Sequence, residues 1–200
     1  MSSTEKKREI LKVKDDFFFY FKRLSRLFII TFILFMGYIF FLTISPVYLT
    51  DIAGSSNRMG WIVLCSGLIH AITAPYAGNL IDKYPRETAI RIASAFVIFS
   101  MLAYSFTVNL YVITLVFTIP IYMTFFLGAR TIVADTVPYD LRARMMGLLS
   151  SFSLLGSGLG SLIVGELLLN YDEQQVFLFG ALIASIAFIL SIKDFSHLKN

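Results

Sequence analysis

LFIITFILFMGYIFFLTISPVY, residues 27 to 48, runs for 22 residues without a charged side chain. A helix rises about 1.5 Å per residue, so such a run can cross the roughly 30 Å hydrocarbon core of a bilayer. Its apolar residues are consecutive instead of alternating, which excludes the two-residue period of a transmembrane β-strand. Five further apolar blocks predict helices over Met59 to Ile81, Ala89 to Thr107, Leu110 to Ala134, Met145 to Leu169 and Val176 to Ile192. Only Val108 and Asn109 separate the third from the fourth, so those two must form a tight antiparallel hairpin. The expected fold class is an all-α integral membrane protein with six transmembrane helices.

Composition agrees. Of the 200 residues 57% are hydrophobic and 15% charged, where a soluble domain carries roughly a quarter charged residues. The mean hydropathy is +0.76. Three regions are expected: a basic and aromatic leader over 1–26, a six-helix bundle over 27–192 and a tail over 193–200.

Positively charged loops stay in the cytoplasm. Eight of the 17 Lys and Arg precede residue 27; Lys83, Arg86 and Arg91 lie in or just after the turn between helices 2 and 3, Arg142 and Arg144 between helices 4 and 5, and Lys193 and Lys199 in the tail. Those fifteen share one side, Arg130 sits near it inside helix 4, and Arg58 alone falls opposite, beside Asp51. Both termini are therefore expected in the cytoplasm, the protein being multi-pass in the cell membrane. The leader lacks the small-residue cleavage site of a secretory signal. Its stretch DDFFFYFKRLSRL, Asp15 to Leu27, has five consecutive aromatics beside Lys22, Arg23 and Arg26. It reads either as a helix lying in the headgroup layer, with its cations on anionic lipid, or as a flank anchoring helix 1. No nucleic-acid partner is expected.

GNLIDKYPRE, residues 78 to 87, gathers Asp82, Lys83, Arg86 and Glu87 in the turn between helices 2 and 3. Asp82 lies at the negative end of a helix dipole and needs a compensating cation. Lys83 and Arg86 are local, while Arg142 and Arg144 could serve only if helix 5 packs nearby. The layout recurs: Asp82-x-x-Pro85 is matched by Asp135-x-x-Pro138, with arginines following each. These clusters are open to two readings, a charge network that latches one face and ordinary topology signals. Proline suits a turn or the first turn of the next helix.

The stretch from Gly78 to Arg86 resembles the G-x-L-x-D-[RK]-x-G-R signature that the major facilitator superfamily carries between the second and third helices of each six-helix half. Gly78, Leu80, Asp82, Lys83 and Arg86 match, and Pro85 stands in place of the glycine. Ala129 to Ser161 resembles the family's segment joining the fourth and fifth helices, through Arg130, Asp135, Pro138, Arg142, Arg144 and Gly147. Gly147, Gly156, Gly160 and Gly165 keep the spacing of a glycine motif of the family's antiporters, with Ser161 and Val164 replacing its proline and one glycine.

The resemblance implies one major-facilitator-type bundle of two three-helix repeats, half of the usual twelve helices. Because the leader looks like the central linker of such proteins, it is most like the C-terminal half. The implied function is secondary transport of a small solute by alternating access, with a second six-helix half or as a homodimer. The alternative is a non-transporting membrane subunit or remnant that stabilises or regulates another membrane protein. Pro75 and Pro120 would bend helices 2 and 4, and Gly156, Gly158 and Gly160 give helix 5 a small face for close packing.

In the family the first and fourth helices of each half face the path, which implies Tyr38, Thr114, Thr118, Tyr122 and Thr124 as lining and a neutral or amphipathic solute. Helices 3 and 6 are expected to face lipid through Phe96, Phe99, Phe177, Phe179 and Phe188. Ionisable groups inside a membrane are costly and mark functional positions. His70, in the middle of helix 2, reads as a proton carrier, a hydrogen-bond partner for solute, or a neutral ring bonded to a neighbouring carbonyl. Arg130 either pairs with Asp135 or snorkels. Glu166 lies near the outer end of helix 5. His70 and His197 are far apart and Cys65 stands alone, so no disulfide, metal cluster, nucleophile constellation or phosphate loop is formed. No enzyme activity, cofactor or metal is expected.

Overall fold

A computed structural model describes residues 3–119 and 122–192; within its helices, the side chains of 3–15, 77, 80–82 and 122–124 are not described. Of the expected functional positions, Pro120 and the tail lie outside the described residues, as do the side chains of Asp82, Tyr122 and Thr124. The elements are α1 (Ser3–Ala53), α2 (Ser56–Lys83), α3 (Arg86–Phe106), α4 (Leu110–Thr118), α5 (Tyr122–Thr136), α6 (Tyr139–Leu168) and α7 (Glu173–Ile192). All seven are helices, and α1, α2, α3, α6 and α7 each carry a segment long and apolar enough to cross a membrane.

Two expectations about helix bounds are corrected. The single fourth helix over Leu110 to Ala134 is divided into α4, of 9 residues, and α5, of 15. Proline disfavours helical backbone in the residue before it, and Ile119, before Pro120, is extended with φ −79° and ψ 117°. Pro75 lacks this effect, because α2 runs through it to Lys83. The second correction is that no helix boundary falls at residue 26. The leader continues into the span as one helix of 51 residues, about 75 Å at roughly 1.5 Å per residue.

Local chemistry sets most helix ends. Gly54, at φ +72°, turns the chain after α1, and its N–H bonds the Thr50 carbonyl at 3.0 Å; glycine takes this left-handed conformation without a Cβ clash. Pro85 and Pro138 stand immediately before α3 and α6, as the repeated Asp-x-x-Pro pattern predicts. Asn109 caps α4, its Oδ1 accepting from the N–H groups of Tyr111 at 3.0 Å and Val112 at 3.4 Å.

α1 is the central helix, packed along α6 and α7, while α3 packs against α7 and α5. Small residues let the backbones approach. A Cβ at Gly156 would collide with the Phe32 carbonyl, and one at Gly160 with the Met36 carbonyl, so both glycines seat α6 on α1. Gly37 plays the same part toward α7, where a Cβ would lie 3.0 Å from the Ala184 nitrogen. Gly147, Gly158 and Gly165 face open space, so the expected glycine series splits between two sides of α6. The expectation that helices 3 and 6 turn their phenylalanines to lipid fails for Phe177, which is wholly buried against Tyr48 and Tyr104. Phe99 is exposed, whereas Phe96 lines a cleft.

At the end bearing the basic turns, two arginines close the last turn of α7. Arg26 of α1 donates to the Leu190 carbonyl. Arg91 of α3 donates through Nε to Ser191 at 3.0 Å and through Nη2 to Ile192 at 3.3 Å. Both arginines thereby tie the last described turn of α7 to its neighbours α1 and α3.

Candidate functional site

Two regions bring chemistry-bearing side chains together. The first is the basic end. Arg86, the first residue of α3, forms an ion pair with Asp135 in the last turn of α5, and its Nη1 also donates to the Thr131 carbonyl at 3.2 Å. The two Asp-x-x-Pro turns are thus tied by the arginine of one and the aspartate of the other. Arg130 does not take the Asp135 carboxylate; it is exposed, on the rim of a small hollow with Thr31, Phe35, Ser150 and Ser153. Arg142 lies 5.9 Å over the Tyr139 ring, Arg144 is exposed, and neither makes an ion pair among the described residues. Lys83 ends α2 as an exposed cation in its last turn, the favourable sign for the dipole. Gly78 is helical and meets nothing within 4 Å.

The second region surrounds the break between α4 and α5. A cleft with about 490 Å³ of empty space, its open mouth included, is lined by Tyr38 and Phe41 of α1, His70 of α2, Phe96 and Ser100 of α3 and Phe117 of α4. Its walls are aromatic and aliphatic, with a few polar groups, as in many small-molecule sites. A wider groove of about 1060 Å³ lies on another face of α2 and α4, between Arg58, Trp61 and Cys65 on one side and Tyr111, Thr114 and Thr118 on the other. The expected path residues are therefore divided, Tyr38 and His70 in the cleft and Thr114 and Thr118 in the groove.

Ser66 joins α2 to the break. It is 2% exposed, and its Oγ lies 3.4 Å from both the Phe117 carbonyl and the Nε2 of His70. Sequence reasoning passed over it although Ser66 and His70 stand four residues apart, on one face of a helix. Glu87 was read as part of the charged turn, but its pairing with Arg91, 3.7 Å away and one turn on, was not. The arginine caps carry no sequence signal, since residues 26 and 91 lie far from 190–192 in the chain.

The family model described as Major Facilitator Superfamily matches residues 27–194. The chain belongs to the Major Facilitator Superfamily. It is a multi-pass membrane protein of a transporter family, not of an enzyme family. Among curated relatives, the Quinolone resistance protein NorA of Staphylococcus aureus is 27% identical over 179 residues, covering 86% of this chain and 44% of that protein. The Multidrug resistance protein 1 of Bacillus subtilis is 27% identical over 172 residues, covering 80% of this chain and 42% of its own. The chain thus spans less than half the length of these relatives.

Proposed function

We propose that this chain is one six-helix half of a secondary transporter, moving a small solute by alternating access together with a separate six-helix half. The single observation that carries the reading is the aromatic cleft at the α4–α5 break, placed within a chain of this family. α4 and α5 together make the fourth of six passes, each alone being shorter than the about 20 residues a span needs. The basic and aromatic leader favours the C-terminal half, and the common end of the basic turns favours cytoplasmic termini. An amphipathic aromatic solute suits the cleft, in line with the drug-resistance names of the relatives.

The partner half would cover α2 and α6. Of their most apolar segments 11% and 28% is buried, against 61% for α1. The open side of α6 carries Gly147, Ser151, Gly158, Ser161 and Gly165, all exposed, beside the exposed Leu154 and Leu162. Small residues on an outward helix face suit a close helix neighbour better than acyl chains.

The test is to extract the chain from its own membrane in mild detergent, weigh the complex, and measure flux of a fluorescent quinolone in vesicles containing it. A complex with a second six-helix chain and a flux lost in Arg86→Gln are expected. A homodimer with flux would replace the separate half by a second copy. A lone monomer, or a complex without flux, would favour the accessory-subunit reading.

A further inference from the structure

α2 has three sides. Met59 and Ser66 are buried toward the bundle. Gly60, Leu64, Gly67 and Ala71 lie exposed on a second side, and Arg58, Trp61, Cys65 and Ile69 line the groove against α4 on a third. At about 100° per residue the second and third sides are more than a third of a turn apart. A helix seated on the small residues would therefore leave the groove open.

The groove has the depth of one leaflet. Arg58 and Ile69 are 11 residues apart, about 16 Å of helix, and half of the hydrocarbon core is about 15 Å. On the other wall it runs from Leu110 and Tyr111 to Thr118, where α4 stops. Between these ends the lining is chiefly aliphatic, with Ile62, Ile69 and Leu115. Thr118 gives its hydroxyl proton to the Thr114 carbonyl at 2.8 Å, within its own helix. The walls thus suit an acyl chain better than a solute that needs hydrogen bonds along its length.

The mouth has a different chemistry. Trp61 is 62% exposed and Tyr111 85%, and such aromatics sit at the level of lipid headgroups. Arg58 lies with them at the end opposite the basic turns. Its Nη1 donates to the Ala53 carbonyl at 3.1 Å, one of five N–H groups on a guanidinium. Asp51, Glu166, Asp172 and Glu173 share this end of the molecule, yet none lines the groove, and Arg58 forms no ion pair among the described residues. A guanidinium holds phosphate oxygens through paired N–H groups.

We propose that the groove between α2 and α4 is a binding site for an anionic phospholipid, its phosphate on Arg58 and one acyl chain laid along the wall to the α4–α5 break. A zwitterionic lipid carries its own ammonium beside the phosphate, which competes with Arg58, so the site favours phosphatidylglycerol over phosphatidylcholine. The chain in the groove fills the space between α4 and α2, the spanning helix with the least of its apolar segment buried. Bound lipid thereby supports α2 where the protein does not. The site depends on the chain's lying in a membrane and not on the transport proposed above.

Trp61 is the only tryptophan of the chain, so its fluorescence reports the mouth of the groove alone. The full chain is placed in phosphatidylcholine vesicles in which a fixed fraction of lipid, either phosphatidylcholine or phosphatidylglycerol, carries brominated acyl chains that quench tryptophan on contact. Brominated phosphatidylglycerol should quench at least twofold more than brominated phosphatidylcholine at the same fraction. Arg58→Gln should make the two equal, while Arg58→Lys, which keeps the charge, should retain part of the preference. In the unaltered chain about 1 M salt, where screening acts within about 3 Å, should also weaken it, so the test does not hang on one variant. Equal quenching in the unaltered chain would make the groove ordinary lipid-facing surface and overturn the proposal. So would a preference that survives Arg58→Gln, or an absence of quenching by either lipid, which would mean that solute or a partner chain covers the groove.

Discussion

Arg86 holds two parts of α5 at once, the Asp135 carboxylate and the Thr131 carbonyl. Arg86 is partly exposed, 35%, and Asp135 exposed, 55%, and ion pairs open to solvent contribute only about 0–1 kcal/mol. The clasp therefore adds little to folding, and its use lies in making and breaking as the turns move. Arg86→Gln should leave the melting temperature in detergent within about 2 °C while lowering flux at least tenfold. A fall in stability with unchanged flux would make the pair structural. The arginine and the aspartate were each legible in the repeated turn pattern, but their partnership was not. For Asp135 the sequence offered Arg130, a neighbour along the chain, with snorkelling as the alternative; the cation that arrives does so because α3 packs on α5. Ser66 escaped for a related reason, since its partner is a backbone carbonyl and carries no sequence mark.

At the scale of elements, hydropathy located the five segments that are long and apolar enough to cross a membrane and misjudged where helices stop. Burial in lipid and helical continuity are separate demands: α1 stays helical through a charged leader, and an apolar block breaks before Pro120. Glycine spacing likewise grouped Gly147, Gly156, Gly160 and Gly165 without telling that only Gly156 and Gly160 face α1. Gly156 and Gly160 admit the backbone of α1, where a Cβ would strike carbonyls that cannot swing aside. Gly156→Ala should destabilise the chain by about 1–3 kcal/mol, the usual cost of overpacking. Gly158→Ala, two residues on in open space, should be neutral or stabilising by up to about 1 kcal/mol, through the backbone entropy glycine gives up in a helix. Thermal unfolding of the two variants in one detergent makes the comparison. Equal losses would mean that α6 is rotated from the position described. The arginine caps give a third contrast. Arg91→Ala removes donors from Ser191 and Ile192, so amide exchange in the last turn of α7 should quicken several-fold while the middle of α7 is unchanged.

For the whole molecule, the two sides of α6 pose one question. Gly156 and Gly160 show how closely a helix can sit on small residues when its partner is present, and Gly147, Gly158 and Gly165 repeat the opportunity on the side where nothing sits. Acyl chains can pack on the exposed Leu154 and Leu162 of this side, but they gain little from the glycines beside them. A second helix gains close backbone approach. Gly158→Leu separates these cases, since the added side chain meets nothing within the chain. The lone chain should insert and melt as before, whereas the complex extracted from its own membrane should lose its second six-helix component, and quinolone flux should fall with it. If the complex keeps its mass and its flux, the partner does not dock on this side of α6. The exposed stripe would then face lipid, and α2 would be left to form the seam.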